Sequence, residues 1–112
     1  MKLIFASSPL RGDIARNVNN ARLFAKFVCD AGHSPVMPHL MFTQFLDDYI
    51  DNDRTMGIEC GMKYLEKADE VWVFAEDEGK CSAGMKAEVD YARKLGKPLT
   101  FIDPSTVSGY VP

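Results

Sequence analysis

Chemistry in this 112-residue chain is concentrated around Glu88, in the stretch Ser82-Ala83-Gly84-Met85-Lys86-Ala87-Glu88. Ser82 is a good helix cap, and Met85, Val89, Ala92 and Leu95 then recur at helical spacing. Gly96 and Pro98 end that helix. Before it, Val71-Trp72-Val73-Phe74-Ala75 reads as a buried parallel strand, joined by a polar hinge from Glu76 to Cys81. Glu88 thus lies about one and a half turns into a helix that follows a strand. A carboxylate placed there is near the carboxyl edge of the sheet, where open α/β folds bind ligands. It could act as a nucleophile or as an acid–base group. The same spacing also fits an ordinary solvated helical glutamate.

A second chemistry is available after the first strand. Ser7, Ser8, Arg11 and Gly12 precede a helix for which Asp13 is the plausible cap. Free N–H groups at a helix N-terminus favour an anion, and an arginine adds a forked cation suited to phosphate or carboxylate. An ordinary strand-to-helix turn fits the same residues. His39 and the pair Asp47–Asp48 follow the second strand, Glu76 and Asp77 the third, and Asp103 the fourth. A carboxylate beside Glu88 would allow the division into nucleophile and acid used by retaining glycosidases. The sequence has no G-x-x-x-x-G-K-[ST] loop, no G-x-G-x-x-G after strand one and no G-x-S-x-G, which disfavours NTPase, dinucleotide-binding and serine-hydrolase readings.

The elements that must position these groups alternate between strand and helix. Strands are expected over Lys2 to Ala6, His33 to Met37, Val71 to Ala75 and Leu99 to Ile102. Ile14, Val18, Ala21, Ala25 and Val28 form one apolar stripe of a first long helix, closed by Gly32. Residues 38–46 are apolar without a clean period and read as a long ordered loop with a helical turn. An acidic turn holds Asp47, Asp48, Asp51 and Asp53, and helical spacing resumes from about Asp53 to Lys67 through Ile58, Met62 and Leu65. Gly57 and Gly61 share a face there, which would let a neighbouring backbone come close. Trp72 and the phenylalanines fit the core, and His33 a cap or the surface. The tail, Asp103 to Pro112, has no periodicity. This alternation predicts one domain over residues 1–112. Its fold is expected to be a three-layer α/β/α sandwich with a parallel, flavodoxin-like (Rossmann-like) sheet of four strands in the order 2-1-3-4.

Composition narrows the partners. The net charge is −3 and no basic run occurs, so no nucleic-acid partner is expected. The apolar runs are too short to span a bilayer, and the first residues lack a signal-peptide pattern, so a cytoplasmic protein with no membrane partner is expected. Cys29, Cys60 and Cys81 have no paired spacing and read as reduced thiols. They are not clustered with His33 or His39, so no metal is expected, and no motif asks for a cofactor.

Several motifs together resemble the nucleoside 2-deoxyribosyltransferase superfamily, including the deoxynucleoside monophosphate N-glycosidases. A closer resemblance is to a family of small proteins of Gram-positive bacteria and their phages, and it covers nearly the whole chain. It rests on Ser8-Pro9-Leu10-Arg11-Gly12-Asp13, Asn20-Ala21, Pro38-His39-Leu40, Phe45-Leu46-Asp47-Asp48, Arg54 with Gly57, Asp69 to Phe74, and Ser82-x-Gly84-Met85-x-x-Glu88. The resemblance implies that Glu88 attacks the anomeric carbon of a nucleoside or nucleotide. It implies that Ser82 and Gly84 belong to a phosphate- and sugar-binding turn, and that Arg11 and Gly12 lie near the sugar and its 5′ end. Deoxyribosyl transfer or N-glycoside hydrolysis follows as the expected activity; a nucleotide-binding protein that keeps the pocket without catalysis is the alternative. Two positions depart from the pattern. Phe5 stands where a tyrosine is usual, and Gly61 where an aspartate is expected, so Asp48, Asp47 or Glu59 would have to substitute. Asp69 is expected at the far end of strand three. A homo-oligomer, most simply a two-fold dimer, is also implied. The Gly57/Gly61 face and Leu40 to Leu46 would form its contact, and Ser105 to Tyr110 would reach a neighbour's pocket.

Overall fold

The computed structural model describes all 112 residues, and its sheet is built around β1 (Leu3–Ser7). This strand alternates strictly: Ile4 and Ala6 face one side, and Phe5 faces the other with its neighbours Leu3 and Ser7. The chain continues through α1 (Ile14–Asp30), β2 (Ser34–Val36), α2 (Pro38–Phe42), α3 (Asp51–Lys67), β3 (Glu70–Val73), α4 (Ala83–Lys94) and β4 (Leu99–Phe101). The four strands are parallel in the order β2-β1-β3-β4, with Leu3 opposite Ser34, Ile4 opposite Glu70 and Val71 opposite Leu99. One layer packs Ala21, Phe24 and Val28 of α1 on Ile4 and Ala6. The opposite layer packs Leu65 of α3 and Met85, Val89 and Ala92 of α4 on Phe5, Val71 and Val73. The expected three-layer sandwich and strand order are therefore the observed ones.

Because β1 leads outward to β2 and β3 leads outward to β4, the carboxyl ends of β1 and β3 flank the crevice where the winding direction reverses. Ser7, Ser8, Phe74 and Ala75 end those two strands, and the Phe74 amide donates to the Ser7 carbonyl at 2.8 Å. Trp72 packs beside the α1-side core, and its indole N–H donates to Glu70.

Several elements differ from their sequence reading. The buried face of α1 holds Asn17, Asn20, Ala21, Phe24 and Val28, while Ile14 is exposed. Two asparagines are buried because they satisfy backbone elsewhere. The Asn17 side chain donates to the carbonyls of Leu10 and Arg11 at 3.0 and 2.8 Å. Asn20 donates to the Val111 carbonyl at 2.7 Å and accepts its N–H at 3.0 Å. That clasp also orders the tail, whose residues 104–106 form a short 3₁₀ turn. Val107 is buried, and Tyr110 meets Phe74 edge-on at 5.6 Å. The segment expected to reach a neighbouring subunit thus packs on its own chain. Residues 38–42 are a short helix with Pro38 in its first turn, a position that suits the fixed φ of proline. The acidic turn runs into α3, so Asp51 and Asp53 occupy that helix's first turn and complement its dipole. No helix is long and apolar enough to cross a membrane.

Candidate functional site

Glu88 lies three residues after Met85 and one before Val89, both buried against the sheet. It therefore borders the buried face of α4, and its side chain reaches back toward the strand ends. There Ser7, on the same face of β1 as Phe5, donates its hydroxyl to Glu88 Oε1 at 2.7 Å. Burial pushes the Glu88 carboxyl up to about 7, against the lowering effect of the Ser7 hydrogen bond. Ser82 caps α4 by accepting the Met85 N–H at 3.3 Å, which fixes the turn in which Glu88 stands.

The carboxylate opens into a cavity of about 430 Å³ between the β1–α1 loop, α2, α3 and the start of α4. This is within the size range of small-molecule sites. Of the residues singled out from sequence, Ser8, Arg11, His39, Asp48, Ser82, Gly84 and Glu88 line it. Ser7 lies behind Glu88 and touches the cavity only through it. Gly12 is elsewhere, at an exposed turn with φ of 97°, a conformation that favours glycine and lets the chain reach the Asp13 cap. Asp13 accepts from the Arg16 N–H at 3.2 Å, as a cap should. Asp69 accepts from the Leu3 N–H at 2.7 Å at the opposite edge of the sheet, where it was expected.

His39 is carried in by α2, with Nε2 3.2 Å from Ser8 Oγ. Burial lowers its pKa to about 4, against the opposing effect of Asp48, so the ring is neutral at physiological pH. Arg11 and Asp48 are occupied with each other. Arg11 Nε donates to Asp48 Oδ2 at 2.7 Å and Nη2 to the Asp48 carbonyl at 2.9 Å, with the guanidinium 5.4 Å from the Tyr49 ring centre. The anion-binding cation and the substitute acid expected from sequence thus form a single ion pair at the cavity wall. Asp47 and Glu59 do not line the cavity, and Asp47 instead accepts from the Tyr49 N–H.

The cavity also gathers groups that sequence patterns do not single out as site residues. Asp53 and Arg54 line it from the first turns of α3, in series with Gly57, Ile58, Gly61 and Met62. Steps of three and four along one helix are the available signal, since Gly57 and Gly61 already mark that face. Asp53 accepts from the Asp47 N–H at 2.9 Å, whereas the Arg54 side chain has no ion-pair or hydrogen-bond partner. The glycine face is covered within the chain. A Cβ on Gly61 would lie 3.5 Å from Pro38 Cβ, and one on Gly57 3.7 Å from Leu46 Cδ1. Those are ordinary contacts, so the close approach does not require glycine. Gly61→Ala is therefore expected to raise stability by up to about 1 kcal/mol through helix propensity. Urea denaturation checks this, and a loss of stability would show that the α2–α3 contact is tighter than the geometry states.

The fold is one already known among solved structures. The same chain path is found in 2-deoxyribosyltransferases of known structure. The enzyme of the psychrotolerant bacterium Bacillus psychrosaccharolyticus superposes with a TM-score of 0.67 at 18% identity, over 97% of this chain and 82% of that one. The Leishmania mexicana 2-deoxyribosyltransferase superposes with a TM-score of 0.60 at 17% identity, over 91% of this chain and 64% of that one. At such identities the likeness is one of fold. By sequence, residues 2–102 match the family described as "Domain of unknown function (DUF7768)", and the chain belongs to it. No curated protein matches the sequence.

Proposed function

We propose that the chain, a single domain over residues 1–112, acts on the N-glycosidic bond of a small nucleoside or nucleotide, with Glu88 as the nucleophile. The observation that carries this reading is the Glu88 carboxyl, half-buried at the cavity wall and oriented by Ser7 Oγ at 2.7 Å. Ser7 holds Oε1, which leaves Oε2 for the substrate. Attack of that oxygen on the anomeric carbon forms a glycosyl ester, while the C–N bond breaks and its electron pair leaves with the base nitrogen. The base takes up a proton, and water or a second base then displaces Glu88. Ser7 also supplies, two residues further along the same strand face, a hydroxyl that Phe5 lacks. Ser82 and Gly84 flank the sugar, and Ser8 and His39 close the opposite wall. The known activity of the two transferases sharing this fold supports the same chemistry.

A nucleotide-binding role without catalysis has its own supporting observation. The aspartates that share the cavity with Glu88 are engaged elsewhere, Asp48 with Arg11 and Asp53 with the Asp47 N–H, while Gly61 supplies no carboxyl and His39 is neutral. The deciding experiment incubates the protein with 2′-deoxynucleosides and their 5′-monophosphates, and separately with a 2-deoxy-2-fluoro analogue. Base release, with the analogue's mass added to the peptide holding Glu88, is the expected result. Binding without either outcome would select the non-catalytic reading.

A two-fold dimer forms part of the proposal. Phe45, Tyr49 and Ile50 are 66, 64 and 53% exposed beside the cavity wall, which favours a covering partner. Light scattering is expected to give twice the 12.5 kDa chain mass, and a monomer at high micromolar concentration would remove the dimer.

A further inference from the structure

A second cavity, of about 510 Å³, lies on the α1 side of the same crevice. It meets the first at Ser8, Arg11, Ser82 and Met85, which line both. The two differ in charge. The first carries Arg11 and Arg54 against Asp48, Asp53 and Glu88. Among its side chains the second carries Arg16, Lys80 and the Asp48-paired Arg11, with Glu76 as the one acidic side chain. Arg16 has no side-chain partner, and Lys80 reaches Glu76 only at 3.8 Å between half-exposed groups, a pairing of little energetic weight. Arg11 is held by Asp48, so Arg16 and Lys80 are the cations of this cavity available to a ligand.

Its walls are fixed before any ligand arrives. Asn17, buried, ties the β1–α1 loop through the Leu10 and Arg11 carbonyls. Asn20, also buried, clasps Val111 and so holds the tail carrying Pro104, Tyr110 and Pro112 at the opposite wall. Preformed walls reduce the ordering cost of binding. The two cavities share Ser8 and Ser82, so a phosphate chain on a nucleoside beside Glu88, the placement required by the proposed function, can cross there to these cations.

We infer that this second cavity is a polyphosphate subsite, and that the ligand is a nucleoside carrying a phosphate chain longer than one group, with Arg16 and Lys80 reading the distal phosphates. This rests on the reading that a nucleoside occupies the first cavity.

The test uses the inorganic anions alone, without divalent metal. Calorimetry is expected to show tripolyphosphate binding well above orthophosphate. Arg16→Ala and Lys80→Ala should each weaken it by roughly tenfold or more, as removal of a charge-assisted contact does. Lys94→Ala, an equal change of charge in the last turn of α4, should leave it within about twofold, a change too small to mark a lost contact. Tripolyphosphate binding no tighter than orthophosphate would overturn the subsite. So would equal losses in all three variants, which indicate general attraction, or a loss confined to Arg54→Ala, which places the anion in the first cavity. Base release is not read in this experiment. A chain that cleaves no glycosidic bond can still show the subsite, and failure of the subsite leaves the Glu88 chemistry standing.

Discussion

Glu88→Ala is expected to abolish base release while leaving nucleoside or nucleotide binding within a few-fold of wild type. Loss of a covalent nucleophile costs on the order of 10³-fold or more in turnover, because the interaction exists only along the reaction path. Binding survives because the cavity is walled by four segments and Glu88 supplies one side chain among many. Activity should also follow the Glu88 carboxyl. Attack requires the ionised form, and burial places its titration at about 7. Turnover therefore rises about tenfold per unit as pH increases toward 7 and levels off above it. Near-wild-type turnover in Glu88→Ala, or a profile flat from pH 5 to 8, would remove Glu88 from the nucleophile role. Ser7→Ala is a useful companion, since it removes the hydrogen bond that holds the carboxyl down and should move the rising limb to higher pH.

The second large effect is on stability. A carboxyl raised from an ordinary 4.5 to about 7 binds a proton in the folded chain where the unfolded chain has lost it. Stability from this group is present at low pH and is lost as pH rises from 4.5 through about 7. The full loss is about 3 kcal/mol. Glu88→Gln stays neutral and keeps an oxygen to accept from Ser7. It should match wild type near pH 4 and exceed it by up to about 3 kcal/mol at pH 8, a rise in Tm on the order of 10 °C. His39 has the opposite sign: held neutral down to about 4, it makes stability rise with pH between 4 and 6.5. The two slopes oppose each other below 6.5 in wild type, so the comparison is cleanest between pH 6.5 and 8. Equal stability of the two proteins at pH 8 would show that Glu88 titrates at an ordinary carboxylate value. A site residue whose removal stabilises the fold is typical of functional positions.

Much of this architecture is legible in the amino-acid sequence. The short apolar runs of β1 and β3 and the Ser82 cap are local patterns, and the handedness of parallel crossovers converts them into one strand order. What is not legible is long-range. Ser7 and Glu88 are 81 residues apart, and nothing in either neighbourhood announces the other. Arg11 and Asp48 each look like a separate functional group, because their pairing depends on where the turn after α2 comes to rest. The face of α1 differs from its apolar stripe at Asn17 and Asn20 because hydropathy cannot show that a polar side chain is buried to satisfy a distant loop and tail. Arg54 is visible as a residue, but its place as an unpaired cavity cation depends on which face of α3 is uncovered.

At the opposite edge of the sheet, Lys97 Nζ donates to the carbonyls of Glu66 and Ala68 at 3.0 and 2.7 Å, closing the end of α3. Asp69 accepts from the Leu3 N–H, and Lys2 pairs with Glu70. All these polar groups are used on one another, and none lines either cavity. The two ends of the strands therefore form separate mutational territories. Substitutions at Lys97 or Asp69 should register in melting temperature with ligand affinity intact, and those at the unpartnered cavity cations Arg16 and Arg54 in affinity at little thermal cost. An engineer could stiffen one end of the sheet while reshaping the other, with the four short strands insulating each set of changes from its counterpart.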